Sequence, residues 1–326
     1  MTEVVDYHTA GEPFRIVTSV EVPGASVPDR RVFAQTSSTI DAIRQLLVNE
    51  PRGHADMYGG FVVPSNDDGA DFGVLFWHKD GYSTACGHGT IALGTWAVET
   101  GLVSAAPDGV TDVVIDVPSG RVVARVNCSA GAVTSVAFRN VPSYVLDRAV
   151  PVATSRGEVL ADISFGGAFY ASVDASSLGL SVTPSSYADL VAVGREIKWA
   201  LDAVAVHPTD PRLSGLYGTI LYDDLGSVDG GPHQRNLTIF ADGEADRSPC
   251  GSGTSARLAL LHDEGRLGPG QVLRHDSIVG TTFLGRVVEE TTDGVITEVE
   301  GAAYRTGTAT FTLDPRDPLG TGFTLR

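Results

Sequence analysis

The chain reads as a mixed α/β protein of two similar lobes, and three observations carry that reading. A motif, Cys-Gly-x-Gly-Thr-x-Ala, occurs twice, at Cys86 and half the chain later at Cys250. After each cysteine the residues have helical character and stop at a glycine, Gly101 and Gly265, at the same distance from the cysteine. Most of the remainder consists of short apolar runs punctuated by Gly and Pro, which is the pattern of strands. A chain of 326 residues with 42% hydrophobic content buries a large core and exceeds the usual size of one domain. The pattern restarts around 140–150, so the first lobe is expected over 1–140 and the second over 141–302. The last stretch, 303–326, is expected to return to the first lobe as a closing strand.

Val4 to Val17 begins as a strand, breaks into the polar turn His8-Thr-Ala-Gly11-Glu12-Pro13, and resumes. His8, Glu12 and Arg15 are ligand candidates there, with hydrogen bonding at a strand end as the rival role. Ser38–Val48 carries Ile40, Ile43, Leu46 and Leu47 at helical spacing and is stopped by Pro51-Arg-Gly. Gly59–Pro64 and Phe72–His78 read as buried strands that deliver the chain to Cys86. Beyond Gly101, Val113–Val117, Arg121–Val126 and Val133–Phe138 are strands of a sheet that wraps or packs on itself. The second half repeats the plan. Leu160–Phe165 and Ala168–Val173 are strands, a helix runs from about Pro184 to Val204, and strands Leu216–Tyr222 and Asn236–Ala241 lead to Asp246 and Cys250. Gly307–Leu313 is one more strand, and no flexible linker separates the halves, which are expected to pack around a shared cleft.

A thiol at the start of a helix has a chemical meaning. Glycines there let backbone N–H groups approach a ligand closely, and the positive helix end favours an anion such as a carboxylate. The same field is expected to lower a thiol pKa from ~8.5 to roughly 3.5–7.5, making thiolate available as a base or nucleophile. Two thiols facing each other across a cleft would take a proton from one side of a carbon and return one to the other. His88, two residues past the first cysteine, suits substrate contact more than helix capping. Asp246, four residues before the second, suits a ligand's ammonium, with capping of the following helix as its rival. Its first-half counterpart is Tyr82, so the amine is expected to be held by the second half.

Composition excludes several classes. A net charge of −17 and a pI near 4.7 argue against nucleic acid or anionic membrane as a partner. Met1-Thr-Glu-Val-Val-Asp is too polar for a secretory leader, and there is no apolar run of ~18 residues, so the expected location is cytoplasmic. Cys86, Cys128 and Cys250 form neither a disulfide framework nor a zinc set. Cys128, in the alternating run Arg121–Cys128, is expected to be a passive half-buried residue. With Lys79 and Lys198 the only lysines, and neither in a Gly-rich setting, a pyridoxal phosphate Schiff base is not expected, and no cofactor or metal is.

With these residues in view, the sequence is similar to the proline racemase superfamily, which includes hydroxyproline 2-epimerases and trans-3-hydroxy-L-proline dehydratases. The likeness covers nearly the whole chain, through His8-Thr-Ala-Gly-Glu-Pro, Glu50-Pro-Arg-Gly-His-Ala-Asp-Met-Tyr-Gly, Gly81-Tyr-Ser-Thr-Ala-Cys-Gly-His-Gly-Thr, Phe165-Gly-Gly-Ala-Phe-Tyr and Asp246-Arg-Ser-Pro-Cys-Gly-Ser-Gly-Thr-Ser-Ala-Arg. It implies a diaminopimelate-epimerase-like fold, two pseudo-symmetric lobes each with a sheet around a central helix, and a cofactor-independent active site between them. Cys86 and Cys250 would be its acid/base residues. Asp246 and His88 would lie near the ring nitrogen of proline or a hydroxyproline, and the amides of Gly87, His88, Gly251 and Ser252 would hold the carboxylate. A homodimer is left open.

Within the superfamily the residues point two ways. Asp56-Met-Tyr-Gly, Gly73-Val-Leu-Phe-Trp-His and Gly81-Tyr-Ser resemble the dehydratase branch, which usually has Thr where this chain has Cys250. A dehydratase needs one base for the Cα proton and then loses the 3-hydroxyl, whereas an isomerase needs a proton donor on the opposite face. Two thiols favour the isomerase, a racemase or 2-epimerase. Dehydration is the alternative, and non-catalytic binding of proline-like amino acids is the reading from another class.

Overall fold

A computed structural model describes residues 1–325. The chain divides into two units, Met1–Val136 together with Ala302 onward, and Ala137–Gly301. In the first, β1 (Thr2–Thr9) and β2 (Glu12–Val17) form a hairpin, and helices α1 (Val27–Thr36) and α2 (Ser38–Val48) lead to β3 (Gly59–Val63). Then follow β4 (Phe72–His78), the short β5 (Gly81–Tyr82), α3 (Gly87–Glu99), β6 (Gly109–Val117) and β7 (Gly120–Ser129). Strand β8 (Ala132–Arg139) carries the chain into the second unit, built from β9 (Tyr144–Thr154), β10 (Gly157–Phe165), β11 (Phe169–Asp174), α4 (Tyr187–Leu201), β12 (Leu216–Val228) and β13 (Gly231–Phe240). It continues through β14 (Glu244–Asp246), α5 (Gly251–Asp263), β15 (Leu273–Ser277), β16 (Thr282–Thr291) and β17 (Gly294–Gly301), and β18 (Ala303–Phe311) belongs to the first unit.

The two units repeat one order of pairing. In the first, β18, β1, β2, β3, β4, β6 and β7 lie side by side, with the pairs antiparallel except β2–β3 and β4–β6. In the second, β9, β10, β11, β12, β13, β15 and β16 do the same, with β11–β12 and β13–β15 the parallel pairs. The short β5 and β14 hang on β4 and β13 just ahead of the two motif helices. Strand β18 thus takes against β1 the place that β9 takes against β10.

Each sheet curves around one helix. From Gly87 to Ala97 every residue of α3 is buried, as is α5 from Gly251 to Leu261, the mark of a helix enclosed on all sides. Helix α3 touches β1, β2 and β18 on one side and β6 and β7 on the other, and α5 touches β9, β10, β11, β16 and β17. Each helix ends at its glycine, Gly101 at φ 74° and Gly265 at φ 67°, the left-handed stop that glycine adopts without a Cβ penalty. The outer face of the first sheet is covered by α1 and α2 through Val27, Ala34, Ile40, Leu47 and Val48 against Phe61, Trp77 and Tyr82.

Several elements differ from the sequence-based expectation. Helix α1 was not foreseen because its residues, Val-Pro-Asp-Arg-Arg-Val-Phe-Ala-Gln-Thr, bury only Val27, Arg30 and Ala34. Its start is nonetheless local chemistry, with Ser26 accepting from Asp29 N–H and a proline in the first turn. The helix expected from about Pro184 to Val204 is shorter, Tyr187–Leu201, preceded by a 3-10 turn at Pro184–Ser186. Strands β15, β16 and β17 were not anticipated, and Cys128 is buried at 8% exposure rather than half-buried.

Arg15 is a structural tie. Its Nε and Nη2 donate to the Asp6 carboxylate at 2.9 and 2.8 Å, and Nη1 donates to the carbonyls of Leu47 at 2.7 Å and Arg52 at 3.0 Å. It also stacks on Phe311, 4.5 Å from the ring centroid. One guanidinium therefore joins β1, β2, β18 and the end of α2. Arg15→Met should lower the unfolding free energy by about 3 kcal/mol or more, because it strands Asp6 and two carbonyls. Urea titration followed by circular dichroism measures this, and an unchanged midpoint would assign Arg15 another role.

Candidate active site

In the first unit Cys86 is the N-cap of α3, in extended backbone at φ −157°, ψ 104°, and its Sγ accepts the Gly89 N–H at 3.2 Å. The His88 ring lies beside the sulfur, with Nδ1 at 3.4 Å and Nε2 at 3.6 Å. That ring is held edge-on by Tyr58 and Phe14, with centroids 5.0 and 5.9 Å away. Thr9 Oγ1 donates to the His88 carbonyl at 2.9 Å, and both Thr90 N–H and Thr90 Oγ1 donate to the Cys86 carbonyl. Cys86, Gly87 and His88 are thus gathered at one helix start, all buried. The amides of Gly87 and His88 lie in the first turn, where no intrahelical acceptor exists.

In the second unit Cys250 occupies the same position on α5 in a different backbone, φ 62°, ψ 108°. A left-handed conformation is uncommon for a residue with a side chain and marks a site held by its surroundings. Cys250 Sγ lies 3.8 Å from the Tyr170 hydroxyl, which is itself 2.7 Å from Ser252 Oγ. Asp246, on β14, accepts the Ser248 N–H at 2.8 Å, so it shapes the turn before the helix without capping it. Cys250, Gly251, Ser252 and Asp246 form the second group.

The repeated motif has a steric cause. A Cβ on Gly89 would lie 2.8 Å from Cys86 Sγ and 2.4 Å from Phe14, and one on Gly253 would lie 2.9 Å from Cys250 Sγ. Both are closer than a methyl group tolerates, so the third residue after each cysteine must be glycine for the sulfur to fold over the first helical turn.

Electrostatically, the expected lowering of the thiol pKa fails at Cys250. Burial pushes this thiol up and the nearby Asp246 charge pushes it further, outweighing the opposing contacts of Gly253 N–H and the Tyr170 and Thr238 hydroxyls. At neutral pH it is a thiol, able to donate a proton. Burial also raises Asp246 to about 6, against the lowering effect of Ser248, Arg247 and Cys250. Tyr170, fully buried, is pushed well above the usual tyrosine range and stays a neutral phenol.

Tyr170, Thr238, Ser248, Phe14 and Tyr58 were not singled out from the sequence. Tyr170 ends the Phe165-Gly-Gly-Ala-Phe-Tyr motif, a signal that was available. Tyr58 and Ser248 likewise lie in the stretches Glu50–Gly59 and Asp246–Arg257 named above, whereas Phe14 and Thr238 arrive from strands without a local pattern. Of the N-terminal candidates, His8 accepts from Gly11 N–H at 3.2 Å and packs on Tyr304, Arg15 is the tie described above, and Glu12 is fully buried.

The family model described as proline racemase matches residues 4–324. A trans-3-hydroxy-L-proline dehydratase from Burkholderia cenocepacia is 46% identical, over 99% of this chain and 97% of that protein. A 3-hydroxyproline 2-epimerase from Burkholderia multivorans is equally similar, 46% identical over 99% and 97%. Among solved structures, a hydroxyproline epimerase from Agrobacterium vitis with bound trans-4-hydroxy-L-proline superimposes with a TM-score of 0.92, at 32% identity, covering 99% of this chain and 95% of that one.

The raised Asp246 pKa has a thermodynamic consequence. Its folded value of about 6 lies above the ordinary 3.8, so the ionised carboxylate opposes folding. The penalty is absent below the ordinary value, grows across the interval between the two, and is complete above about 6. Asp246→Asn should therefore gain stability relative to the parent protein as pH rises from about 4 to 7, by up to about 3 kcal/mol. Urea titrations of both proteins at several pH values read this difference, and a constant offset would refute the burial argument.

Proposed function

The chain belongs to the proline racemase family, and on that premise we propose that it inverts Cα of a hydroxyproline, 3-hydroxyproline first, through two thiols acting as acid and base. The observation that carries this reading is that each unit presents a buried cysteine as the N-cap of an enclosed helix, folded over a glycine that nothing larger can replace. The names of the relatives support a proline-like substrate.

The chemistry follows from the surroundings. The ring ammonium pairs with Asp246, ionised above about 6. The substrate carboxylate accepts from the first-turn amides of Gly87, His88, Gly251 and Ser252, where helix ends favour an anion. Cys86, with His88 at 3.4 Å to accept its proton, takes hydrogen from Cα. Cys250, kept as a thiol by burial, delivers a proton to the opposite face. In the reverse direction the roles exchange. Side chains and backbone amides carry every step, so the proposal invokes no cofactor.

A second reading is dehydration, favoured by the relatives named trans-3-hydroxy-L-proline dehydratase. The same Cα–H bond breaks, the C3–O bond then breaks, a C2=C3 double bond forms, and the hydroxide leaves as water after taking a proton.

NMR of the purified protein in D₂O with trans-3-hydroxy-L-proline, trans-4-hydroxy-L-proline and L-proline separates the readings. Deuterium at Cα with inversion of trans-3-hydroxy-L-proline is the expected result. Loss of the C3 hydroxyl would replace it with the dehydratase reading, and no exchange on any of the three would contradict both.

A further inference from the structure

The two cysteines share a position in the motif but not a backbone conformation, and the difference has a visible cause behind Cys250. The peptide between Pro249 and Cys250 is held at both polar ends. Its N–H donates to Ser248 Oγ at 3.0 Å, and its carbonyl, that of Pro249, accepts from Asn236 Nδ2 at 2.9 Å and from Thr254 Oγ1 at 3.2 Å. The next carbonyl, that of Cys250 itself, accepts the Thr254 N–H at 2.7 Å. With the peptide planes on either side of Cα fixed, Cys250 has no freedom to leave φ 62°.

Asn236 and Thr254 are in turn joined by His275 on β15. His275 Nε2 lies 2.6 Å from Asn236 Nδ2, and Nδ1 lies 2.8 Å from Thr254 Oγ1. One proton arrangement satisfies every group. Asn236 gives one hydrogen to Pro249 and the other to Nε2, Nδ1–H donates to Thr254, and the Thr254 hydroxyl donates to Pro249. This requires neutral imidazole, and burial, with Arg257 adding to it, pushes His275 down to about 3. All three side chains are at 0% exposure.

The first unit lacks this device. Thr90 corresponds to Thr254 in the motif, but its hydroxyl turns to the carbonyl of Cys86. By the matching register of the β4–β5 and β13–β14 pairs, the position of Asn236 is taken by Leu75. Cys86 correspondingly rests in ordinary extended backbone. A buried polar trio in place of a leucine is expensive unless fully bonded, and here both ends of the bonded chain close on the Pro249 carbonyl of the peptide that sets the second cysteine.

We propose that His275, with Asn236 and Thr254, is a positioning element that locks Cys250 in its left-handed conformation and thereby aims its sulfur at the reacting carbon. This rests on the proposed function for the role of Cys250, but the locking itself is independent of it.

The test compares His275→Phe and Thr254→Val, which break the chain of bonds, with His275→Gln, whose amide both accepts and donates. The first two should lose roughly 100-fold in kcat with KM changed less than about threefold, while His275→Gln keeps most activity. In the same proteins, mass spectrometry after iodoacetamide treatment should show the ratio of Cys250 to Cys86 labelling shifted by about tenfold, with Cys86 as the internal control for folding. Activity within about twofold of the parent in both variants would overturn the proposal, as would lost activity with an unchanged labelling ratio. If His275→Phe does not fold, the near-isosteric Thr254→Val decides. If neither folds, the trio is a folding element and the proposal fails. A fully active Cys250→Ser protein would instead refute the two-thiol mechanism, while the labelling ratio would still report the locking.

Discussion

The contact on which the rest depends is that between each cysteine sulfur and the backbone of the helix it begins. The sulfur folds over the first turn so closely that a methyl group on the third residue would clash with it, at 2.8 Å for Cys86 and 2.9 Å for Cys250. This fixes glycine at that position and puts the sulfur in the field of the helix end. It also demands that the helix start be immobile, which the fold supplies by enclosing α3 and α5 in curved sheets. The hairpins, crossovers and edge strands of both units recur in one order because they build the same enclosure twice.

On that shared frame the two surroundings diverge. Cys86 has an imidazole beside it, framed by two aromatic rings, and lies in relaxed backbone. Cys250 has a phenol, a buried carboxylate and a strained backbone held by a polar trio. Duplication provides two like positions, and under the proposed mechanism the divergent linings assign one to take a proton and the other to hold one. Asp246 sits on the same side of this division. Its burial opposes folding, and such a penalty is the kind of strain that functional sites retain.

What was legible in the sequence was local. The paired motif, the glycine stops at Gly101 and Gly265 and the helical spacing of Ile40, Ile43, Leu46 and Leu47 all follow from neighbours along the chain, and the elements they predict are present. Helix α1 was missed because its apolar stripe is thin, and β16 because most of its residues face solvent and break the alternating pattern. The sign of the Cys250 pKa was misread for a deeper reason. The helix position is readable from the motif, and so is the Asp246 carboxylate four residues away, whereas the largest cause, desolvation by burial, arises from tertiary packing. Likewise Asn236 and His275, separated along the chain and carrying no motif, meet only because β13 and β15 are parallel neighbours.

The central claim is that inversion needs both thiols and exchange needs one. The direct measurement is the behaviour of Cys86→Ser and Cys250→Ser with each 2-epimer of 3-hydroxyproline in D₂O, following inversion by chiral chromatography and Cα deuterium by NMR. Serine is a far poorer base than thiolate, so both variants should stop inverting, while Cys250→Ser still washes deuterium into the epimer whose Cα–H faces Cys86 and Cys86→Ser, left with a thiol that burial keeps protonated, exchanges far more slowly. A Cys250→Ser protein that inverts substrate at a rate near the parent's would contradict the account.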